Sequence, residues 1–367
     1  MTRIPFVTSR FPDPRYNEFA LRNRFRGFAV QLEARKNPQP QATDPNGKPA
    51  SVSLHDIVDK PSVPYEVGVR INRRSKCLAA QHVAAGPIAQ LKDDDRELIE
   101  RVRDGVALVR IESEDHADRV AAAVHEEFPW LAPATVALWH AMRRSVRNSD
   151  RGFRLPPLVL DGPPGIGKSA WARYVAEQLR VPTIAIDASG DGAGWGIIGL
   201  QKGWGSAMPG RPLTTIIEHQ IGNPCVIIDE VEKPGVDRNA KGESYSLTSA
   251  LLPLLEPLGA RAWNCPYFRV PLDMSWISWI MTSNDQRRLP APLRSRCTIL
   301  SLRQLTLPEL MDFVRRQQDR RGLSDDAIAA VVAALETAPG LTTSPSLRTA
   351  IRLLSLAEDQ DNRPRFH

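Results

Sequence analysis

Residues Leu158–Ala170 read LVLDGPPGIGKSA, and this stretch decides the fold. Gly162-Pro163-Pro164-Gly165-Ile166-Gly167-Lys168-Ser169 matches G-x-x-x-x-G-K-[ST] at every fixed position. Such a loop turns its backbone N–H groups onto the phosphates of a nucleotide. Glycine at 162, 165 and 167 permits positive φ and keeps Cβ atoms off the phosphate oxygens. Lys168 supplies a point charge for the β- and γ-phosphates, and the Ser169 hydroxyl is a ligand for Mg2+. The apolar run Leu158-Val159-Leu160 before the loop reads as a strand. Beyond it, Trp171, Val175 and Leu179 fall at i, i+4 and i+8, the stripe of a helix over Ala170–Leu179. The loop therefore opens a helix N-terminus, where unpaired N–H groups and the dipole favour an anion.

Outward from this loop, strand and helix signals alternate. Thr183–Asp187, Cys225–Asp229, Trp276–Thr282 and Thr298–Leu302 are short apolar runs without alternation, separated by helical stretches. They predict buried parallel strands with helices on both faces. Beyond Leu302 the pattern is helical. Thr306-Leu307-Pro308-Glu309 has the form of a capping box, a helix follows over Ser324–Leu335, and another opens at Ser344-Pro345. Upstream, Val106–Ile111 reads as a strand. Asp115–Phe128 reads as a helix with Ser113 as its cap, and Ala132–Val146 as an amphipathic helix. Residues 34–66 are rich in proline and polar side chains, the composition of a linker or exposed loop. The expected organisation is an N-terminal arm (1–33), that linker (34–66) and a small N-terminal α/β domain (67–129). A large α/β domain (130–304) and a helical lid (305–367) follow.

The chain has 367 residues, four cysteines and a formal net charge of +6. The cysteines lack C-x-x-C spacing, so neither zinc nor a disulfide framework is indicated. No apolar run reaches the roughly 20 residues of a membrane helix. The first residues lack the apolar core of a secretory leader, and the expected compartment is the cytoplasm. The mild basic excess is the charge of a solvated surface, or a footprint for nucleic acid. Arginines and aromatics interleave in the first 28 residues (Arg15, Tyr16, Phe19, Arg22, Arg24, Phe25, Arg26, Phe28), as in a docking arm, a nucleic-acid arm or a packed segment.

Further candidates sit at the ends of the expected strands. Val226-Ile227-Ile228-Asp229-Glu230 is an apolar strand closing on two acids. Asp229 would hold Mg2+, and Glu230 would orient and deprotonate a water. Asn284 ends the run Met281-Thr282-Ser283-Asn284, where open α/β sheets keep their ligands, or is a loop-capping asparagine. Leu293-Arg294-Ser295-Arg296-Cys297 offers arginines for charge developing in phosphoryl transfer, the alternative being surface arginines. Arg348 would reach the phosphates from the lid, or is a solvated helix arginine.

Together these residues resemble the AAA+ ATPases, from about Leu155 to Glu358: Walker A (162–169), Walker B (Asp229, Glu230), sensor 1 (Asn284), arginine finger (Arg296) and sensor 2 (Arg348). Within that group the chain is similar to the ATPase module of the Lon family. Gly203-Trp204-Gly205-Ser206-Ala207-Met208-Pro209-Gly210 resembles Lon's pore-loop segment, Thr248–Pro257 its SALLEVLDP helix, and Leu289–Arg296 its IPAPLLDR finger segment. The resemblance implies an ATP- and Mg2+-dependent hydrolase in a homo-oligomeric ring, as a hexamer, acting on a protein substrate or a separately encoded effector. It puts the pore-loop aromatic at Trp204, although Gly205 stands where Lon has an aliphatic residue. Lon also carries a serine–lysine protease domain after its lid. No nucleophile–base constellation replaces it before His367, so proteolysis is expected only from a separate subunit. Arg294-Ser295-Arg296-Cys297 also resembles the finger of clamp loaders, which keeps open a nucleic-acid-associated switch as the other function class.

Overall fold

In the computed structural model, the described residues are 2–11, 13–36, 63–84, 86–190, 193–201, 207–233, 236–238, 244–337 and 346–361. The chain opens on strand β1 (Thr2–Ile4). Helices α1 (Glu18–Lys36), α2 (Tyr65–Ala84) and α3 (Asp93–Glu100) follow, then strand β2 (Val106–Leu108) and helices α4 (Glu114–Glu127) and α5 (Ala132–Arg147). Next come β3 (Leu158–Asp161), α6 (Lys168–Gln178), β4 (Thr183–Asp187), α7 (Ala193–Ile198), α8 (Arg211–His219) and β5 (Cys225–Asp229). After these run β6 (Val236–Arg238), β7 (Ser244–Ser246), α9 (Leu247–Leu255), α10 (Pro257–Arg261), β8 (Trp263–Asn264) and β9 (Pro271–Leu272). Strand β10 (Ser278–Ser283), α11 (Ala291–Arg294), β11 (Thr298–Ser301), α12 (Leu307–Arg321), α13 (Asp325–Glu336) and α14 (Leu347–Asp361) complete the chain.

Five strands form one sheet in the order β11-β3-β10-β5-β4. Every pairing in it is parallel, with Ile280 opposite both Leu158 and Ile227. β3 and β10 are buried along their whole length, and β5 along all but Asp229. This is why these strands read as continuous apolar runs rather than alternating ones. The chain leaves β3 toward β4 at one edge and returns to β10 and β11, so a crevice opens at the carboxyl ends of β3, β10 and β5. Helices α4, α5 and α6 cover one face through a continuous core that includes Val124, Leu138, Met142, Trp171 and Val175. The same core runs on into α12, α13 and α14 through Phe313, Val331 and Leu354, so the C-terminal helices share the sheet's hydrophobic interior. Burying a side chain such as Leu354 contributes about 2 kcal/mol.

The chain separates into two compact units, residues 9–97 and residues 1–8 with 98–367. The first is helical: α1 and α2 pair, and Tyr16 stacks on His82 with ring centroids 3.9 Å apart. The sequence reading places an N-terminal arm over 1–33, with no helix assigned in it, and an α/β domain over 67–129. Instead, Glu18–Lys36 is helical, and the strand and helix expected in that α/β domain lie with the large sheet's unit. Burial explains the difference. Val106 and Leu108 are fully buried and need partners. β2 finds them in β1, antiparallel, and in Ile221, parallel. Buried Asn223 completes the junction. Its Oδ1 accepts from Val109 N at 3.0 Å, and its Nδ2 donates to Val109 O and Phe153 O, each at 2.8 Å. The proline-rich stretch 37–62 lies outside the described residues.

Candidate functional site

The phosphate-loop sequence forms the turn between β3 and α6. Gly165 and Gly167 have φ of 78° and 94°, the left-handed region that glycine enters without strain. Gly162 is required for a different reason: a Cβ there would stand 2.6 Å from Leu302 O. Two outside contacts fix the loop. Trp130 Nε1 donates to Ile166 O at 2.8 Å, and Gly162 N to Ser283 O at 3.1 Å.

Around this turn lies a cavity of about 520 Å³. Its walls include Gly165, Gly167, Lys168, Ser169, Asp229, Glu230, Thr282, Asn284 and Arg348. The loop, both acids, the asparagine and the lid arginine named from the sequence therefore meet in one place. They sit on the loop after β3, at or just past the carboxyl ends of β5 and β10, and in the first turns of α6 and α14, all of them in the sheet's unit. The lid helix is tied directly to the loop, since Leu347 N donates to Gly165 O at 3.0 Å.

Lys168 is 7 % exposed. Its Nζ donates to Gly162 O (2.5 Å), Pro163 O (2.9 Å) and Asn284 Oδ1 (3.0 Å). Burial pushes its pKa down, while the carboxylates of Glu232, Asp161, Glu230 and Asp229 oppose the shift. Ser169 Oγ donates to Asp229 Oδ1, and Thr282 Oγ1 donates to the same oxygen at 3.1 Å. Thr282 Oγ1 also accepts from Glu230 N at 3.1 Å, so one hydroxyl ties the end of β5 to β10. Glu230 has φ of 56°, a left-handed backbone at a non-glycine residue, and its side chain pairs with Lys233 Nζ at 3.0 Å. Asn284 Nδ2 stands 3.5 Å from Glu230 Oε1.

Arg296 stands apart. It does not line the cavity. Its Nη1 donates to Pro292 O at 3.1 Å, and its Nη2 lies 3.9 Å from Glu256 Oε2. Trp204 lies outside the described residues. The flanks of its segment close on each other, with Leu200 N donating to Met208 O at 2.9 Å and Gly199 bridging Pro209.

Two buried acids were not singled out from the sequence. Glu232 Oε1 accepts from Asn284 N at 3.0 Å, while its Oε2 is buried without a hydrogen-bond partner. Asp161 ends β3 with Oδ1 likewise unpartnered. Both face Lys168 electrostatically. The available signals were the second acid in Asp229-Glu230-Val231-Glu232 and an acid closing an apolar strand directly before a glycine-rich turn.

The family described as ATPase family associated with various cellular activities (AAA) matches residues 158–305. Its span runs from β3 to just past β11 and takes in the loop, both acids and Asn284. These residues are an AAA ATPase domain. The chain is similar to Lon proteases over and around that domain. It is 32% identical over 211 residues to the peroxisomal Lon protease homolog 2 of Pichia angusta, covering 55% of this chain and 22% of that protein. It is 27% identical over 311 residues to Lon protease 4 of Sorangium cellulosum, covering 85% of this chain and 36% of the relative. It is 34% identical over 173 residues to the Lon protease of Helicobacter pylori, covering 47% and 20%. The chain thus spans between a fifth and about a third of the length of these relatives. Its AAA domain is an ATPase of the Lon kind. Among the described residues, no helix is long and apolar enough to cross a membrane.

Proposed function

We propose that the chain hydrolyses ATP in a homo-oligomeric ring, as a hexamer, and uses the cycle to remodel a protein or to control a partner effector. The observation that carries this reading is the convergence of Lys168, Ser169, Asp229, Glu230, Asn284 and Arg348 on one cavity while Arg296 faces elsewhere. In this reading the triphosphate lies along the loop N–H groups of residues 162–169. Lys168 exchanges its carbonyl partners for the β- and γ-phosphates. Arg348 contacts the γ-phosphate and couples the lid to it.

The oxygens of Ser169 and Asp229, hydrogen-bonded to each other, form the small oxygen set that Mg2+ takes from a protein when phosphates and water supply the rest. The ion would neutralise charge on the phosphates. Among the described residues no cluster of three or more His, Cys, Asp or Glu forms a self-sufficient metal cage, which fits an ion held jointly with substrate. Asn284 and Glu230 position a water in line with the γ-phosphorus. Its oxygen bonds to phosphorus, the bond to the bridging oxygen of ADP breaks, and Glu230 accepts the water's proton. A neighbouring subunit's Arg296 stabilises the developing charge.

Purified full-length Glu230→Gln should bind ATP with little change and hydrolyse it about 100-fold or more slowly, the share that a general base supplies. Steady-state phosphate release measures this. Near-wild-type turnover removes the assigned base. Threading of a protein past Trp204 rests on the sequence resemblance. Trp204→Ala should keep basal hydrolysis and lose remodelling of an unfolded protein, and unchanged remodelling excludes threading at that residue.

A further inference from the structure

A second cavity, of about 270 Å³, opens at the amino-terminal ends of β3 and β10. It is walled by the end of α5 (Arg144, Ser145), the approach to β3 (Arg154, Pro156), α10 (Arg261) and the approach to β10 (Ser275, Trp276). The two cavities therefore lie at opposite ends of the same strands, roughly 20 Å apart, the run of an extended chain from Pro156 to Gly162.

Three guanidinium groups share this small space, and none of them forms an ion pair among the described residues. Asp150 is the acid among the described lining residues and pairs with none of them. Arg154 is half-buried and held in place, its Nη1 donating to Ser275 O at 2.8 Å. Burial pushes its pKa down, and the charge of Arg261 adds to that shift. Arg144 and Arg261 are exposed, and their like charge beside the half-buried Arg154 carries a repulsion that a bound anion would offset. Guanidinium forks match phosphate geometry and present several N–H donors each. The volume sits just below the range usual for sites that hold whole drug-sized ligands, so it suits one charged group with a flat neighbour. Trp276, half-buried in the wall, offers that neighbour an aromatic surface.

We propose that the cavity walled by Arg144, Arg154, Arg261 and Trp276 binds a phosphate group. Its source is the backbone of a single nucleic-acid strand, with free inorganic phosphate as the other source of the same chemistry. The site is separate from the ATP site and does not depend on the hydrolytic reading.

The test uses the full chain carrying Lys168→Ala, which removes the phosphate loop as a competing anion site. Fluorescence anisotropy follows a labelled short oligothymidylate, and calorimetry follows inorganic phosphate. Adding Arg144→Ala with Arg261→Ala should weaken oligonucleotide binding by about tenfold and lower its salt slope by about 1.4, two phosphate contacts' worth. The same pair placed in the otherwise wild-type chain should leave ATP hydrolysis unchanged, which shows that the fold is intact. Trp276→Ala should weaken the oligonucleotide and spare phosphate. Loss confined to inorganic phosphate keeps the site and assigns it to the free ion. Binding of neither probe, or binding that the arginine pair leaves unchanged, overturns the proposal.

Discussion

Thr282 shows how much of a site rests on a residue with no chemistry of its own. Its buried hydroxyl donates to Asp229 and accepts from the backbone of Glu230. Thr282→Val keeps the shape and leaves Glu230 N without its acceptor, at a cost of about 1–3 kcal/mol. The expected result is a lower unfolding midpoint in urea together with a fall of about tenfold in kcat, because the two acids lose their common anchor. Wild-type kcat in a folded Thr282→Val protein would sink the anchoring role. Glu232 belongs to the same scale: a carboxylate buried beside Lys168 and bonded to the backbone of Asn284. Sequence alone gave Asp229 and Glu230 because an acid pair closing an apolar strand downstream of a phosphate loop is a familiar pattern. It did not give Glu232 or Thr282, whose roles come from the neighbouring strand and not from their own.

At the scale of elements, the lid begins on a well-made helix start. Thr306 Oγ1 accepts from Glu309 N, the Glu309 side chain accepts from Thr306 N at 2.9 Å, and Arg303 pairs with Glu309. Arg303 holds the Glu309 carboxyl down to about 2 from its ordinary 4.5, with the Thr306 hydrogen bonds helping. A depressed acid contributes stability above its unfolded pKa and loses it as the folded pKa is approached. This contribution is therefore complete above pH 4.5 and disappears as pH falls toward 2. Glu309→Gln should lower stability by about 1 kcal/mol at neutral pH, with the gap to wild type narrowing below pH 4.5 and closing toward about pH 2. Urea midpoints across that range check it, and a gap independent of pH would refute it. Sequence made this helix legible to the residue, because a capping box is a local code. The helix over Glu18–Lys36 was not legible. Its aromatics and arginines alternate without an apolar stripe, and Leu21 alone is buried among its described residues.

At the scale of the whole molecule, the position of Arg296 separates a lone catalyst from an assembly. The cavity lacks this arginine within its own chain, and in the proposed reading another copy supplies it. Arg296→Ala and Lys168→Ala should each hydrolyse ATP poorly. Mixed, they should regain measurable turnover, because a ring containing both pairs an intact loop with an intact arginine. No recovery on mixing, in proteins shown to co-assemble, would remove the trans arrangement. The parallel, buried character of the strands was legible, since apolar runs without alternation alternate with helices, but their order was not. The division of the N-terminal third was not. Whether Val106–Leu108 joins a small domain or the large unit depends on Asn223, more than 100 residues downstream, finding its three backbone partners. Nothing in the local pattern carries that distance.

The left-handed backbone at Glu230 has a consequence for how such a protein ages under selection. Holding a side-chain-bearing residue there costs about 1 kcal/mol, which glycine would return. If Glu230 is the base proposed above, a lineage pressed toward heat tolerance thus meets a one-step gain in sturdiness that silences the enzyme. Durability and turnover are set against each other at a single peptide unit.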